Sequence, residues 1–278
     1  MFGQGNHPFA MAGVAALLLT IAAASPAFAG PPFLTDDPEP VEPGHWEAYL
    51  FGTLDSARDL RSVEGPAFEV NFGAAPDTQL HLVVPLTSAG PSGGGAAHGL
   101  GDVEVGVKYR FVAEGEGRPQ VGVFPMIELP TGDASRQLGN GRLWARLPLW
   151  VQKRWGAWTT YGGAGYAVNR ATGARSYAFG GWLVQRDLGG GLALGGEVYA
   201  RGADTEGGQG ATILNAGGTL DIRPGFSLLF SAGHTIAGER HGVVYLGLYW
   251  TWGGSEAAAA LRPAPPGEGA LPRAERSR

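Results

Sequence analysis

The chain has 278 residues, with 48 glycines, 20 prolines, no cysteine and only 16% charged residues. The lack of cysteine excludes a disulfide framework, thiolate metal ligands and a thiol nucleophile. A net charge of -5 argues against nucleic acid as a partner, because a phosphate backbone is bound by a basic surface.

The N-terminus has the pattern of a secretory signal peptide. An apolar stretch over residues 10–24 is followed by Ala27-Phe28-Ala29, the small-x-small pattern of a cleavage site. The stretch is shorter than the roughly 20 apolar residues of a transmembrane helix. We therefore predict a cleaved signal peptide over residues 1–29 and export of the rest of the chain.

Residues 30–43 form a proline-rich, acidic segment. Asp36, Asp37 and Glu39 stand between prolines, which favours an extended segment without strand partners. These carboxylates are candidate calcium ligands, but they lack the glycine and glutamate spacing of a calcium-binding loop. We expect an Asx-turn and a solvated acidic face, outside the domain that follows.

From residue 44 to residue 252 the hydrophobic period is two. Val103, Val105 and Val107, for example, alternate with the charged Glu104 and Lys108. Such alternation predicts β-strands with one apolar and one mixed-polar face. Twelve segments of this kind occur, and we find no apolar stripe of helical period in this region. The predicted fold class is all-β.

The connections between these segments alternate in length. The longer ones cover residues 55–64, 87–99, 130–141, 170–175, 202–210 and 235–241, and tight turns separate most of the other neighbours. Long outer loops and short periplasmic turns are typical of outer-membrane barrels. We predict an antiparallel transmembrane β-barrel of about 12 strands over residues 44–252. A soluble sandwich or barrel is the alternative, but it would carry more charge.

Aromatic residues near strand ends are expected to form girdles at the two membrane interfaces. The residues concerned are Trp46, Tyr49, Phe72, Phe111, Trp155, Trp158, Tyr249, Trp250 and Trp252. After the last of them the chain is rich in alanine and proline, and residues 253–278 are predicted to be a disordered tail.

Polar side chains in phase with the non-lipid face are predicted to line the lumen. The candidates are Glu69, Gln79, His81, Glu104, Lys108, Arg110, Glu128, Arg146, Glu197 and Arg201. Lys108, Arg110 and Glu104 share one inward face with Glu128 on the next strand, so we expect a cluster of ion pairs there. Such pairs either stabilise a closed barrel or line a narrow, gated route, and the sequence leaves both open.

No other chemistry stands out in the sequence. The glycine pairs do not complete a nucleotide-binding motif, and the histidines do not have zinc-ligand spacing, so no cofactor or metal is expected. A lipid-hydrolysing barrel would need a serine beside a histidine. His81 has the inward phase, and His234 has the lipid-facing phase without a serine on its face nearby.

Three segments resemble the outer-membrane family named for the MetA-pathway of phenol degradation. They are Pro31 to Pro40 with Gly44-His45-Trp46-Glu47, Gly101 to Phe111, and Glu128 to Asp133 running on to Gly141. The resemblance implies a transporter-like barrel that passes small, often aromatic or hydrophobic compounds, and it supplies no catalytic residues. In one respect the chain departs from such barrels, which usually end on an aromatic residue, because 26 residues follow Trp252.

These observations predict a channel in a Gram-negative-type outer membrane for small, hydrophobic or aromatic solutes. Its expected partners are outer-membrane lipid, the solute and the barrel-assembly machinery, and no nucleic acid. The alternatives are a structural barrel whose loops bind a partner and, less favoured, a lipid-modifying barrel enzyme.

Overall fold

The computed structural model describes residues 31–57, 60–91 and 94–253. The predicted signal peptide and the predicted tail beyond Gly253 lie outside the described residues. The strands are β1 (His45–Ala57), β2 (Leu60–Ala75), β3 (Thr78–Pro91), β4 (Ala97–Leu100), β5 (Val103–Val112), β6 (Gln120–Val123), β7 (Met126–Leu129), β8 (Trp144–Trp155), β9 (Trp158–Val168), β10 (Tyr177–Asp187), β11 (Leu192–Arg201), β12 (Ala211–Arg223), β13 (Phe226–Gly238) and β14 (His241–Gly253). A short 3-10 helix covers Ala134–Arg136.

The strands form one closed antiparallel barrel. Strands that follow one another in the chain pair with each other, except β4 with β5 and β6 with β7, and β1 pairs with β14 in a register that sets Tyr49 opposite Tyr249. β4 and β5 both pair with β3 and continue one another, and β6 and β7 both pair with β5 and β8. Each of these two couples occupies the place of one interrupted strand in the barrel. The barrel therefore has twelve strand positions, which confirms the predicted fold.

The two interrupted strands, β4–β5 and β6–β7, are neighbours in the barrel, and a proline explains one of the interruptions. Pro125 separates β6 from β7, and it has no N–H with which to continue a ladder. Its carbonyl instead accepts the N–H of Val107 at 3.1 Å. Gly101 separates β4 from β5, where its N–H donates to the carbonyl of Pro85 at 2.9 Å. The backbone hydrogen bonds thus continue across both breaks.

The two ends of the barrel differ. The end that we call the turn side carries short connections such as residues 76–77, 156–157 and 224–225, and the other end, the loop side, carries residues 130–143, 169–176 and 202–210. The predicted long connections at 55–64 and 235–241 are wrong. Strands β1, β2, β13 and β14 continue through most of those residues, because paired backbone extends past the point where the apolar alternation stops.

One face of each strand presents a broad apolar surface to the outside. Its members are 40% or more exposed in the isolated chain and include Phe68, Leu80, Leu82, Val107, Leu147, Leu149, Trp182, Val184, Leu194, Val198 and Leu246. Exposed apolar surface on this scale is typical of a wall that faces lipid. Among the described residues, no helix is long and apolar enough to span a membrane.

The predicted aromatic girdles need correction. Trp46, Trp155, Trp158 and Trp252 are exposed, but all four lie at the turn side, so they form one girdle rather than two. Tyr49 and Tyr249 are buried inside the barrel, with ring centroids 4.7 Å apart. The period of two explains this placement, because Tyr49 and Tyr249 each lie an odd number of positions from an outward tryptophan, Trp46 or Trp252, and therefore face the interior.

Candidate functional site

The barrel encloses a cavity of about 760 Å³. Seven of the ten residues that we expected in the lumen line it: Glu69, Gln79, His81, Glu104, Lys108, Glu128 and Arg146. The other three, Arg110, Glu197 and Arg201, lie on strands around the cavity without lining it. The cavity volume falls in the range of about 300–1,000 Å³ that small-molecule sites occupy.

A connected polar cluster occupies one wall of the cavity. The guanidinium of Arg146 pairs with Glu104 and lies 3.8 Å from Glu128. His81 Nε2 is 3.0 Å from Glu104 Oε1, and its Nδ1 is 2.7 Å from Asn71 Oδ1. The register explains the grouping, because Glu104 lies opposite Glu128, and Met126 on the same strand as Glu128 lies opposite Arg146. This arrangement holds two carboxylates against one permanent cation.

Arg110 does not belong to that cluster, and our expectation that it would group with Glu128 is wrong. It donates from Nε and Nη2 to Asp77 Oδ1 at 2.9 and 2.7 Å, and from Nη1 to Gln120 at 3.1 Å. Asp77 lies in the turn between β2 and β3, so Arg110 is bound at the turn side. Arg201, at the loop side, pairs with Asp204 at 2.5 Å.

The N-terminal segment enters the barrel, contrary to our expectation that it lies outside. Residues 31–43, which we call the plug segment, cross the interior from β13 to β3. Along this path Ser231 donates to the carbonyl of Pro32 at 2.5 Å, and Val41 N–H donates to Gln79 Oε1 at 2.9 Å. Thr35 and Asp37 are fully buried. The plug segment therefore lies inside the lumen, and its residues line the cavity.

Glu197 on β11 holds the middle of the plug segment. Its two carboxylate oxygens accept the backbone N–H groups of Leu34 at 2.8 Å and Thr35 at 2.7 Å. Asn215 donates to the same carboxylate at 2.8 Å. Hydrogen bonds to a charged group contribute about 1.5–3 kcal/mol each, so this single side chain anchors the segment firmly.

The acidic residues of the plug segment pair with cations of the barrel wall. Lys108 Nζ is 3.0 Å from Asp36 Oδ1 and 3.4 Å from Asp37 Oδ2. Glu39 pairs with Arg154. The carboxylates are therefore paired inside the barrel instead of forming a solvated acidic face, with Asp37 buried and Asp36 and Glu39 partly exposed. Asp37 does form an Asx-type contact by accepting the N–H of Glu39 at 2.5 Å. In the described part of the chain, no group of three or more acidic or histidine side chains is arranged to hold a metal ion.

Two wall glycines give the plug segment room to lie close to the strands. A Cβ at Gly181 on β10 would stand 3.3 Å from the Cβ of Thr35 and 2.1 Å from its hydroxyl. A Cβ at Gly122 on β6 would stand 3.0 Å from the Cβ of Pro38. With Thr35 and Pro38 in place, a side chain at either position would push the segment away from the wall.

Beside the charged cluster, the cavity has an aromatic wall, in which the Phe124 ring lies 5.1 Å from the ring of His81. Phe124, Met126, Trp150 and Phe179 pack as one buried group, with Tyr199 against them. Trp150 is only 2% exposed, and within the described residues its indole N–H has no hydrogen-bond acceptor. A buried donor without an acceptor is costly to the fold.

Asp102 connects the barrel to its longest loop-side connection. Its carboxylate accepts the N–H of Gly132 at 2.9 Å and the N–H of Asn140 at 2.6 Å. Hydrogen bonds from Ser135 lower the pKa of the exposed Asp133 within this loop. The loop residues concerned belong to segments that resemble the outer-membrane family named above. The hydrogen bonds to Asp102 hold residues 130–143 against the rim of the barrel.

The histidine rings have partners other than hydroxyl groups. Those of His81 are given above, and His234 Nδ1 lies 3.1 Å from the backbone carbonyl of Thr235. His241 lies between Asp55 at 2.8 Å and Arg201 at 3.0 Å. Within the described residues, no serine or threonine hydroxyl is hydrogen-bonded to a histidine ring.

Comparison with solved structures identifies the fold. The chain is similar to the COG4313 outer membrane channel from Pseudomonas putida F1, with a TM-score of 0.64, 14% identity, and coverage of 78% of this chain and 98% of that chain. It is also similar to the translocator domain of the autotransporter NalP from Neisseria meningitidis (TM-score 0.51, 9% identity, 74% and 88% coverage). A third similar structure is the NanC porin (TM-score 0.51, 8% identity, 73% and 98% coverage). The fold is that of outer-membrane barrels.

Sequence comparison adds no family assignment. No protein-family model matches the chain, and no curated protein matches it.

Proposed function

We propose that this protein is an outer-membrane channel for small, hydrophobic or aromatic solutes, closed in the present conformation by its plug segment. The observation that carries the proposal is the way in which the plug segment is held. Among the described residues, no backbone-to-backbone hydrogen bond joins residues 31–41 to a strand. Side chains of the wall hold it instead, so the segment can leave without unpairing the sheet.

The lining of the cavity supports the solute class. An aromatic wall formed by Phe124, Trp150, Phe179 and Tyr199 offers stacking and apolar contact, and the polar groups beside it can orient a ligand. A barrel of twelve strands is also narrower than the 16- to 18-stranded porins, which leave a wide aqueous channel. A narrow lumen of this kind suits a small solute that stays in contact with the side chains that line the cavity.

Two likenesses support the same proposal. The segments Gly101 to Phe111 and Glu128 to Gly141 resemble the transporter-like family named for the MetA-pathway of phenol degradation. The similar structure from Pseudomonas putida is described as an outer membrane channel. As part of the proposal, we infer that this chain is also an outer-membrane channel.

The proposal includes location and partners. The apolar outer face would contact outer-membrane lipid, with the turn side in the periplasm and the loop side outside the cell. The barrel-assembly machinery would insert the protein after export, and the small-molecule solute would be its transported partner. Nucleic acid is not an expected partner of a chain with this charge.

A structural barrel with partner-binding loops is the second candidate. It is favoured by the complete burial of Thr35 and Asp37, which shows how closely the plug segment fits the lumen. If that fit is permanent, the barrel conducts nothing, and the loop that Asp102 anchors becomes the functional surface.

Solute-driven swelling of liposomes separates the two candidates. The full chain is reconstituted, and phenyl glucoside is compared with methyl glucoside, since both are neutral and only one carries an aromatic ring. The channel proposal predicts swelling faster than in empty liposomes, with phenyl glucoside entering at least as fast as the smaller methyl glucoside. Swelling at the empty-liposome rate for both solutes, with insertion shown by a heat-modifiability gel, would overturn the proposal.

A further inference from the structure

Lys108 is an inward cation whose ion-pair partners both belong to the plug segment. Its ammonium lies 3.0 Å from Asp36 Oδ1 and 3.4 Å from Asp37 Oδ2, and its side chain is only 5% exposed. Within the described residues it forms no ion pair with a carboxylate of the barrel wall. An interior cation that loses its partner is left without compensation. If the plug segment leaves, as the proposed function requires, Lys108 faces the lumen as an anion site without its anion.

Glu39 of the plug segment occupies a second site of the same kind. Arg154 on β8 pairs with its carboxylate, and the amide groups of Gln120 and Gln152 donate to Glu39 Oε2 at 3.3 and 3.0 Å. Both glutamines are almost completely buried. Arg110 donates to Gln120 Oε1 at 3.1 Å, which turns the amide N–H groups toward Glu39. A guanidinium with two converging amide donors is suited to a carboxylate, so the wall holds the segment through two carboxylate sites.

The carboxylates of the wall, in contrast, have partners that do not depend on the plug segment. Glu69 accepts the amide of Asn71 at 2.8 Å, and Glu104 pairs with Arg146. Departure of the segment therefore leaves these contacts in place. It also removes four of the ten carboxylates that line the cavity and none of the permanent cations there. The four are Asp36, Asp37, Glu39 and Glu42, and the cations are Lys108, Arg146 and Arg154.

The site at Lys108 adjoins the aromatic wall of the cavity. The ammonium of Lys108 lies 4.9 Å from the centroid of the Phe124 ring. Phe124 packs with Met126, Trp150 and Phe179 in one buried group, and all four side chains line the cavity. A carboxylate bound at Lys108 therefore has aromatic and apolar side chains beside it, against which an attached ring can pack.

We propose that Lys108 is a binding subsite for the carboxylate of the solute, and that Asp36 and Asp37 occupy this subsite in the closed conformation. The solute class is a small aromatic carboxylate, with its ring against Phe124 and the side chains packed with it. The plug segment thus imitates the ligand, and the two compete for one cation. The inference rests on the proposed function, because it names the solute class of the same cavity.

Equilibrium binding to the full chain in detergent micelles tests the subsite without requiring transport. The probes are benzoate, its neutral analogue benzamide, acetate and phenyltrimethylammonium, which separate the contributions of the ring, the charge and its sign. We expect benzoate to bind at least about tenfold more tightly than each of the other three. Binding of benzamide or of phenyltrimethylammonium as tight as that of benzoate would overturn the inference.

The double variant Asp36→Asn with Asp37→Asn tests the competition. Asparagine keeps the shape of each side chain but removes the charges that hold Lys108, so the ratio of benzoate to benzamide affinity should rise about tenfold over the native chain. Glu116→Gln with Glu206→Gln is the matched control, since it removes two exposed carboxylates that do not line the cavity. The control should give the native ratio. An unchanged or lower ratio in the folded aspartate variant would contradict the inference.

Lys108→Gln, added to that double variant, tests the residue assignment. In this background the change leaves no plug carboxylate beside a missing cation at position 108. The ratio of benzoate to benzamide affinity should fall to about one, because the charge that distinguishes the two probes is lost. A ratio that stays high would overturn the assignment to Lys108.

The outcomes also separate this inference from the proposed function. If the aspartate variant does not fold, the four probes on the native chain decide by themselves. Failure of the benzoate preference together with normal swelling by phenyl glucoside would overturn the subsite alone. Absence of swelling with benzoate binding intact would overturn the channel and leave a ligand-binding barrel.

Discussion

The carboxylate of Glu197 accepts the backbone N–H of Thr35 at 2.7 Å, although the two residues are 162 positions apart in the chain. A wall residue of the eleventh strand thus fixes the position of a segment that precedes the first strand. The same carboxylate accepts the N–H of Leu34. It also satisfies the N–H of the fully buried Thr35, which would otherwise have no partner. This contact makes the plug segment part of the barrel interior.

Removal of that carboxylate should loosen the plug segment. We expect Glu197→Ala to raise the swelling rate of reconstituted liposomes several-fold, because two charge-assisted hydrogen bonds of about 1.5–3 kcal/mol each are lost. Glu206→Ala, in the exposed loop 202–210, is the matched control and should behave like the native chain. An unchanged rate in a correctly folded Glu197 variant would show that this anchor does not control closure.

The outward face of β11 offers a test of the membrane orientation of the strands. Val198 lies near the middle of the strand and is 46% exposed in the isolated chain. Val198→Arg should cost about 2–4 kcal/mol of folding free energy near the bilayer midplane, whereas Val198→Leu should cost little. Urea titration in lipid vesicles measures the difference. Equal stability of the two variants would mean that this face does not contact lipid.

The alternation of apolar and polar residues was enough to predict the barrel. The alternation can be followed in each strand separately, and Glu104 and Lys108 lie inside because their chain neighbours are outward apolar residues. The plug segment could not be predicted in this way, since a proline-rich segment has no period and its partners are distant in the chain. One signal was available: Asp36, Asp37 and Glu39 have no cation near them in the sequence, and Lys108 is an inward cation.

Register explains the other differences. Sequence phase alone placed Arg110 and Glu128 on inward faces, but pairing set Glu128 beside Arg146 and left Arg110 at the turn side with Asp77. The tyrosines at positions 49 and 249 were misassigned for a similar reason. Proximity to a strand end predicts an interface girdle, yet the face of the strand decides whether an aromatic residue meets lipid.

The anchor at Asp102 should protect the loop over residues 130–143. We expect Asp102→Ala to increase tryptic cleavage after Arg136 and Arg142 several-fold, because the N–H groups of Gly132 and Asn140 lose their acceptor. Asp102→Asn retains one acceptor oxygen and should be intermediate. Mass spectrometry of timed digests identifies the cut sites, and identical digestion of the three proteins would contradict the assignment.

The native chain has no cysteine, so single cysteines can report which end of the barrel faces outward. Glu206→Cys lies at the loop side and Glu116→Cys at the turn side, and both positions are exposed. A membrane-impermeant maleimide should label intact cells only through Glu206→Cys. Labelling of Glu116→Cys alone would mean that the turn side faces outward.

The central claim is that the plug segment must move for solute to pass, and a reversible tether tests it directly. Thr35 and Gly181 approach closely enough that their Cβ atoms would be 3.3 Å apart, near the 3.5–4.5 Å spacing of a disulfide. In the double variant Thr35→Cys with Gly181→Cys, phenyl glucoside swelling is measured on the same liposomes before and after addition of dithiothreitol. The account predicts swelling at the empty-liposome rate when the variant is oxidised and recovery of swelling on reduction. Equal swelling in the two redox states, with the disulfide verified by mass spectrometry, would contradict it.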